Sequence, residues 1–131
     1  MKLKLLIFTV LITCFSYSQV QNVTFSVTPS AFNEDDEITI TVPNLNPTSV
    51  WGVSDIYLWA WSLDSNGNNS IDSPTNGDWT NSDETQKLTN NGDGTYSISF
   101  TPAIFYNRTS IGSIGFLVKA KDVFNLLIIL I

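Results

Sequence analysis

Apolar and polar residues alternate with a period of two along most of this chain, and that constrains its fold more than any other feature. A strand sends successive side chains to opposite faces, so such alternation marks strands with one buried face. In "VTFSVTP", Val23, Phe25 and Val27 oppose Thr24, Ser26 and Thr28; in "EITITVP", Ile38, Ile40 and Val42 oppose Thr39 and Thr41. In "TYSISFTP", Tyr96, Ile98 and Phe100 oppose Ser97 and Ser99; in "IGFLVKAKD", Ile114, Phe116, Val118 and Ala120 oppose Lys119 and Lys121. No stretch carries a helical period with caps. Turn-forming segments separate the runs: "PSAFNEDDE", "PNLNPTSVWG" and "NNGDGT", the last expected to be a hairpin turn in which glycine supplies a positive φ. The reading is an all-β chain of about six strands, folded as an antiparallel sandwich, with "QKLT" at 86–89 as a short extra strand.

One strand departs from simple alternation. In "DIYLWAWSL", Tyr57, Trp59, Trp61 and Leu63 share one face and Ile56, Leu58, Ala60 and Ser62 the other, and both faces are apolar. That suggests a central strand covered on each side. Two uses of the indoles are open. They can pack in the core, or one of Trp51, Trp61 and Trp79 can lie near a strand end and offer its ring to a sugar, whose apolar C–H face matches an aromatic plane.

The two ends read differently from the middle. Lys2 and Lys4 precede the apolar run Leu5 to Phe15, and small residues then lead to a cut expected between Ser18 and Gln19, so residues 1–18 are expected to be an export signal. The run is too short to span a bilayer, which takes about 20 residues. The one cysteine, Cys14, lies inside it; "LITC" loosely resembles a lipid-attachment site, although Thr13 fits that pattern poorly. Without residues 1–18 the chain keeps four basic against twelve acidic residues, a net charge of −8. Nucleic acid and anionic membrane surfaces both need a basic footprint, so neither is an expected partner. The last nine residues, "VFNLLIILI" at 123–131, carry no charge. They read either as a buried final strand or as a truncation or frame change that replaced the natural continuation, with the second favoured.

Catalytic constellations are scarce. The chain has no histidine, which removes His-based triads and His metal sites, and no cysteine outside the leader. Except for Asp55, its carboxylates lie in or beside turns, and no Gly-rich phosphate loop joins a strand to a helix. No enzymatic activity is expected. A weak calcium pattern runs through "DSNGNNSID": Asp64, Asn66, Asn68 and Asp72 stand at positions 1, 3, 5 and 9, but glycine falls at position 4 and Thr75 stands where a bidentate Glu belongs. The alternative is an Asn- and Asp-rich hairpin loop, and no cofactor is otherwise implied. "NEDDE" at 33–37 reads as a solvated turn. The sequons at Asn22, Asn68 and Asn107 carry no assigned role, because the composition looks bacterial.

From residue 50 to 122 the order of pieces resembles a known group. "DIYLWAW", then a loop ending "NGDW", then "QKLTNNGDGTYSISFTP" and "GFLVKAKD" look like early-set immunoglobulin-like modules of starch- and glycogen-active proteins and of outer-surface starch-binding lipoproteins of Bacteroidetes. The matching residues are Trp79, Gly92 to Tyr96, and Val118 to Ala120. The 64–78 loop is longer than that pattern, and "VFNLLIILI" stands where its final strand would be. The resemblance implies an immunoglobulin-like sandwich over 19–122, belonging to a larger secreted or cell-surface protein that binds polysaccharide. It implies Trp79 as a stacking ring and Lys119 as a polar contact, and the aromatic strand itself offers Trp61 as a further candidate carbohydrate-binding ring. A structural spacer or adhesion module that binds nothing small is the competing expectation.

Overall fold

The structure, a computed structural model, describes residues 24–122 and the backbone of 127–129. The expected leader, Cys14, Asn22, Val23 and the rest of the tail lie outside the described residues. In chain order the elements are β1 (Ser26–Thr28), β2 (Ile38–Pro43), α1 (Pro47–Trp51), β3 (Tyr57–Asp64), β4 (Ile71–Asp72), β5 (Gly77–Asp78) and β6 (Asn81–Ser82). There follow a 3₁₀ turn (Glu84–Gln86), β7 (Thr89–Asn90), β8 (Thr95–Phe100), α2 (Pro102–Phe105), β9 (Ile111–Lys119) and β10 (Leu127–Ile129).

The strands form two four-stranded sheets, ordered β1-β2-β8-β7 and β10-β9-β3-β4, and the separate hairpin β5-β6. Every described pairing is antiparallel. The all-β expectation is met, and one core joins the two large sheets. Ile38, Ile40 and Val42 of β2 and Tyr96 and Phe100 of β8 are buried in the same cluster as Leu58 and Ala60 of β3 and Ile114, Phe116 and Val118 of β9. Each large aliphatic side chain enclosed there contributes about 1.5–3 kcal/mol. Phe25 meets Phe116 edge to face at 5.3 Å, and Phe105 of α2 stacks on Phe100 at 4.0 Å, closing one end.

Register decides which face of β3 enters this core. Leu58 lies opposite Val118 and Ala60 opposite Phe116, all buried, whereas Trp59 opposes Leu117 and Trp61 opposes Gly115 on the other face. A slip of one residue would exchange the two sets, so burial of Ile56, Leu58 and Ala60 pins the pairing. The register shifts between Leu63 and Asp64, where β3 gives way to its loop.

Two one-turn helices were not expected from the sequence. Each starts at a proline, Pro47 or Pro102, whose fixed φ suits a first helical turn. In α1, Asn46 Oδ1 accepts from the Ser49 N–H and Gly52 ends the turn at φ 73°. A single turn is too short to show a period, which is why the pattern hid it. The hairpin at 91–94 forms as anticipated, with Asn90 opposite Tyr96 and Gly92 and Gly94 both at positive φ. The segment expected as one strand at 86–89 is divided. Lys87 bridges to Tyr57 and the Leu88 N–H donates to Ile56 O, and the chain then crosses to the other sheet as β7. In the tail, Leu127 pairs opposite Val118 and Ile129 opposite Phe116, extending the sheet beyond β9. Among the described residues no helix is long and apolar enough to cross a membrane.

Candidate functional site

The outward face of β3 and β9 carries the rings. Because Ile56, Leu58, Ala60 and Ser62 point into the core, Tyr57, Trp59, Trp61 and Leu63 point away from it. Trp61 lies over Gly115 of the neighbouring strand. A Cβ on Gly115 would come within contact distance of indole Nε1, Cε2 and Cζ2 almost equally, so the ring's flat side, not its edge, covers the glycine. The absence of a side chain there is what lets the indole lie down on the sheet. Trp61 itself is half-buried. Asp72 of β4 lies directly opposite Trp61 and is exposed.

Trp79 comes from the turn between β5 and β6 and meets Trp59 edge to face, 4.8 Å between centroids at 75°. Both are half-buried. The segment carrying Trp79 is fastened to the free edge of β3. Ser73 N–H donates to Ala60 O at 2.8 Å, and the Asn76 side chain takes over where the strand pairing stops. Asn76 Oδ1 accepts from Ala60 N–H at 3.0 Å, and Asn76 Nδ2 donates to Ala60 O at 2.9 Å. Gln86 Nε2 reinforces this by donating to Thr75 Oγ1 at 2.8 Å.

Lys119 lies under the same hairpin and is 0% exposed. Its ammonium donates to Ser82 Oγ at 2.7 Å and Lys121 O at 2.9 Å, and it stands 5.3 Å from the centre of the Trp79 ring. Burial holds its pKa below the ordinary 10.5, while the Asp122 carboxylate pulls the other way. Closer to the start of β3, the Tyr57 hydroxyl donates to Glu84, which Lys121 also engages, and Lys87 pairs with Asp55 at 2.7 Å. Burial, followed by the Glu84 hydrogen bond, raises the Tyr57 pKa above 10.0.

The calcium pattern falls on a tight loop. Asp64 Oδ1 accepts from the Asn66 and Asn68 N–H groups, both at 2.9 Å, and its Oδ2 accepts from Asn69 Nδ2. The hydrogen bond from Asn68 leads in pulling the Asp64 pKa below 3.8. Asp72 is three residues away from Asp64 in strand register, roughly 10 Å at about 3.3 Å per residue. Arg108 Nη1 points at Ser62 O and Asn69 O and ties this loop to the turn after α2. Among the described residues no three His, Cys, Asp or Glu side chains converge as a metal group would require.

Of the residues singled out from sequence, Trp79 and Lys119 are brought together, and Trp61 lies on the same sheet face. Asp64, Asn66 and Asn68 share one turn. Trp59 and Gly115 were missed. The available signal was a glycine inside an otherwise apolar strand, paired with the one beside it that carries three aromatic residues in alternate positions. A cleft of about 480 Å³ lined by Phe32, Glu34, Pro102 and Ile111 involves none of these rings. Compared with known protein families and with curated proteins, the chain matches none.

Proposed function

We propose that this chain is a non-catalytic, exported, immunoglobulin-like β-sandwich module that binds carbohydrate, a glucan such as starch being the first ligand to try, within a larger secreted or cell-surface protein. Two antiparallel sheets around one core support the sandwich reading. The basic residues and apolar run before Gln19 support export. The observation that carries the ligand reading is Trp61 lying flat over Gly115 on the face turned away from the core, where it stays half-buried and not enclosed. A pyranose stacks on such a surface through its C–H face, while the adjacent Asp72 carboxylate accepts from its hydroxyls. Trp59 and Trp79 form a wall beside the platform. Affinity electrophoresis through starch and other glucans tests this: retardation that disappears in a folded Trp61→Ala variant supports it, and migration unchanged across the whole panel removes it.

A second reading, a spacer or adhesion module without a small ligand, is favoured by one observation. Trp79 is already engaged by both the Trp59 ring and the Lys119 ammonium. Under that reading the rings cover the sheet and nothing else.

A further inference from the structure

The chain contains three Asn–Gly steps: Asn66–Gly67, Asn76–Gly77 and Asn91–Gly92. With no Cβ on the following residue, its backbone nitrogen can approach the Asn Cγ more freely than at any other step. The fold gives the three steps different protection. Asn76 is 3% exposed, and both ends of its amide are bonded to Ala60. Backbone atoms of Asn81 and Asp83 pack so closely on Gly77 that even a Cβ would not fit. Asn91 is exposed, but its Nδ2 donates to Thr95 Oγ1 at 2.8 Å and its Oδ1 accepts from Ser97 Oγ at 3.1 Å. Asn66 is exposed and its side-chain amide makes no hydrogen bond among the described residues. The space around Gly67 is open, and one turn bond, Gly67 N–H to Asp64 O at 2.9 Å, restrains the attacking nitrogen.

We propose that Asn66 is a site of spontaneous backbone modification in the folded protein, with Asn91 slower and Asn76 protected. The Gly67 nitrogen gives up its proton to solvent base and bonds to the Asn66 Cγ. The Cγ–Nδ2 bond breaks and, with a proton returned, ammonia leaves. Water then opens the resulting cyclic imide at one of its two carbonyls, which yields aspartate or isoaspartate; nothing is oxidised or reduced. Each product adds a negative charge next to Asp64. Isoaspartate also lengthens the backbone between the Asn66 and Asn68 N–H groups that Asp64 Oδ1 holds together.

The test is to hold the folded chain in mildly alkaline buffer and follow all three steps by peptide mass mapping with isoaspartate detection, beside the Asn66→Gln variant and a sample kept in concentrated urea. Asn66 is expected to convert at least about tenfold faster than Asn76, because at Asn76 several hydrogen bonds must open first. Conversion at 66 should vanish in Asn66→Gln, and urea should bring the three rates together. The proposal fails if Asn91 or Asn76 leads in the folded chain, if the three convert equally there, or if the lead of Asn66 persists unchanged in urea, which would make it a property of local sequence and not of the fold.

Discussion

Asn76 serves Ala60 as a substitute strand, bonding to both its N–H and its C=O where β4 has ended. Ala60 O keeps a second partner in Ser73 N–H, but Ala60 N–H depends on Asn76 Oδ1. Asn76→Ala therefore strands a buried donor and is expected to cost about 1–3 kcal/mol. Asn76→Asp keeps an acceptor for that N–H but turns the other oxygen towards Ala60 O, so it should also destabilise. Urea denaturation of the three proteins checks this; an alanine variant as stable as the parent would mean that the side chain is not part of the sheet.

Gly115 and Trp61 should behave as one unit. Gly115→Ala drives a methyl group into the indole, and overpacking of this kind costs typically about 1–3 kcal/mol. Once Trp61 is removed the methyl group has room. The double variant Gly115→Ala with Trp61→Ala is thus expected to lose less stability than the two single losses added together, with a coupling on the order of 0.5–3 kcal/mol. Strict additivity in denaturation experiments would show that the ring does not lie on the glycine.

These relationships mark where sequence reading stops. The alternation in β2 and β8 was legible because one face of each meets the core and the other meets water, and Ile38, Ile40, Tyr96 and Phe100 are buried as the pattern implies. In β3 both faces are apolar, so alternation alone could not say which face the core takes; pairing with Phe116 and Val118 of β9 decides it. Lys119 sits at an alternating polar position and reads as solvated, yet a hairpin nearly forty residues earlier in the chain closes over it. Contacts of that range leave no local periodicity. The same is true of Asn76, whose partner is backbone and has no side-chain signature.

The buried Lys119 ammonium gives stability a predictable pH dependence. Its folded pKa is below 10.5, and the unfolded lysine has the ordinary value. Between the two values the unfolded chain binds more protons, so this residue makes stability rise with pH there; the full burial penalty applies below the folded pKa and is gone above 10.5. Lys119→Met removes this contribution while leaving the other titrating groups in place. The stability of the parent relative to Lys119→Met should increase from neutral pH to about 10.5. A difference independent of pH in paired urea titrations would place the ammonium in water instead.

The two candidate stacking rings should separate in their effects. Trp79 contacts both Trp59 and the Lys119 ammonium, so Trp79→Ala removes an edge-to-face ring pair and a cation–π contact together and should lower the melting temperature markedly. About 1 kcal/mol corresponds to roughly 4–8 °C in a domain of this size, so a loss of even that amount is measurable. Trp61 is half-buried and makes no ring or cation contact among the described residues, and the glycine beneath it leaves no side chain unpartnered when the ring goes. Trp61→Ala should therefore change stability less and glucan retardation more, by about tenfold in affinity or about 1.4 kcal/mol. Retardation lost in Trp61→Ala with its melting temperature near that of the parent identifies the ring as a ligand surface. If Trp61→Ala and Trp79→Ala both migrate as the parent does through a gel that retards it, the sugar is held elsewhere on the molecule.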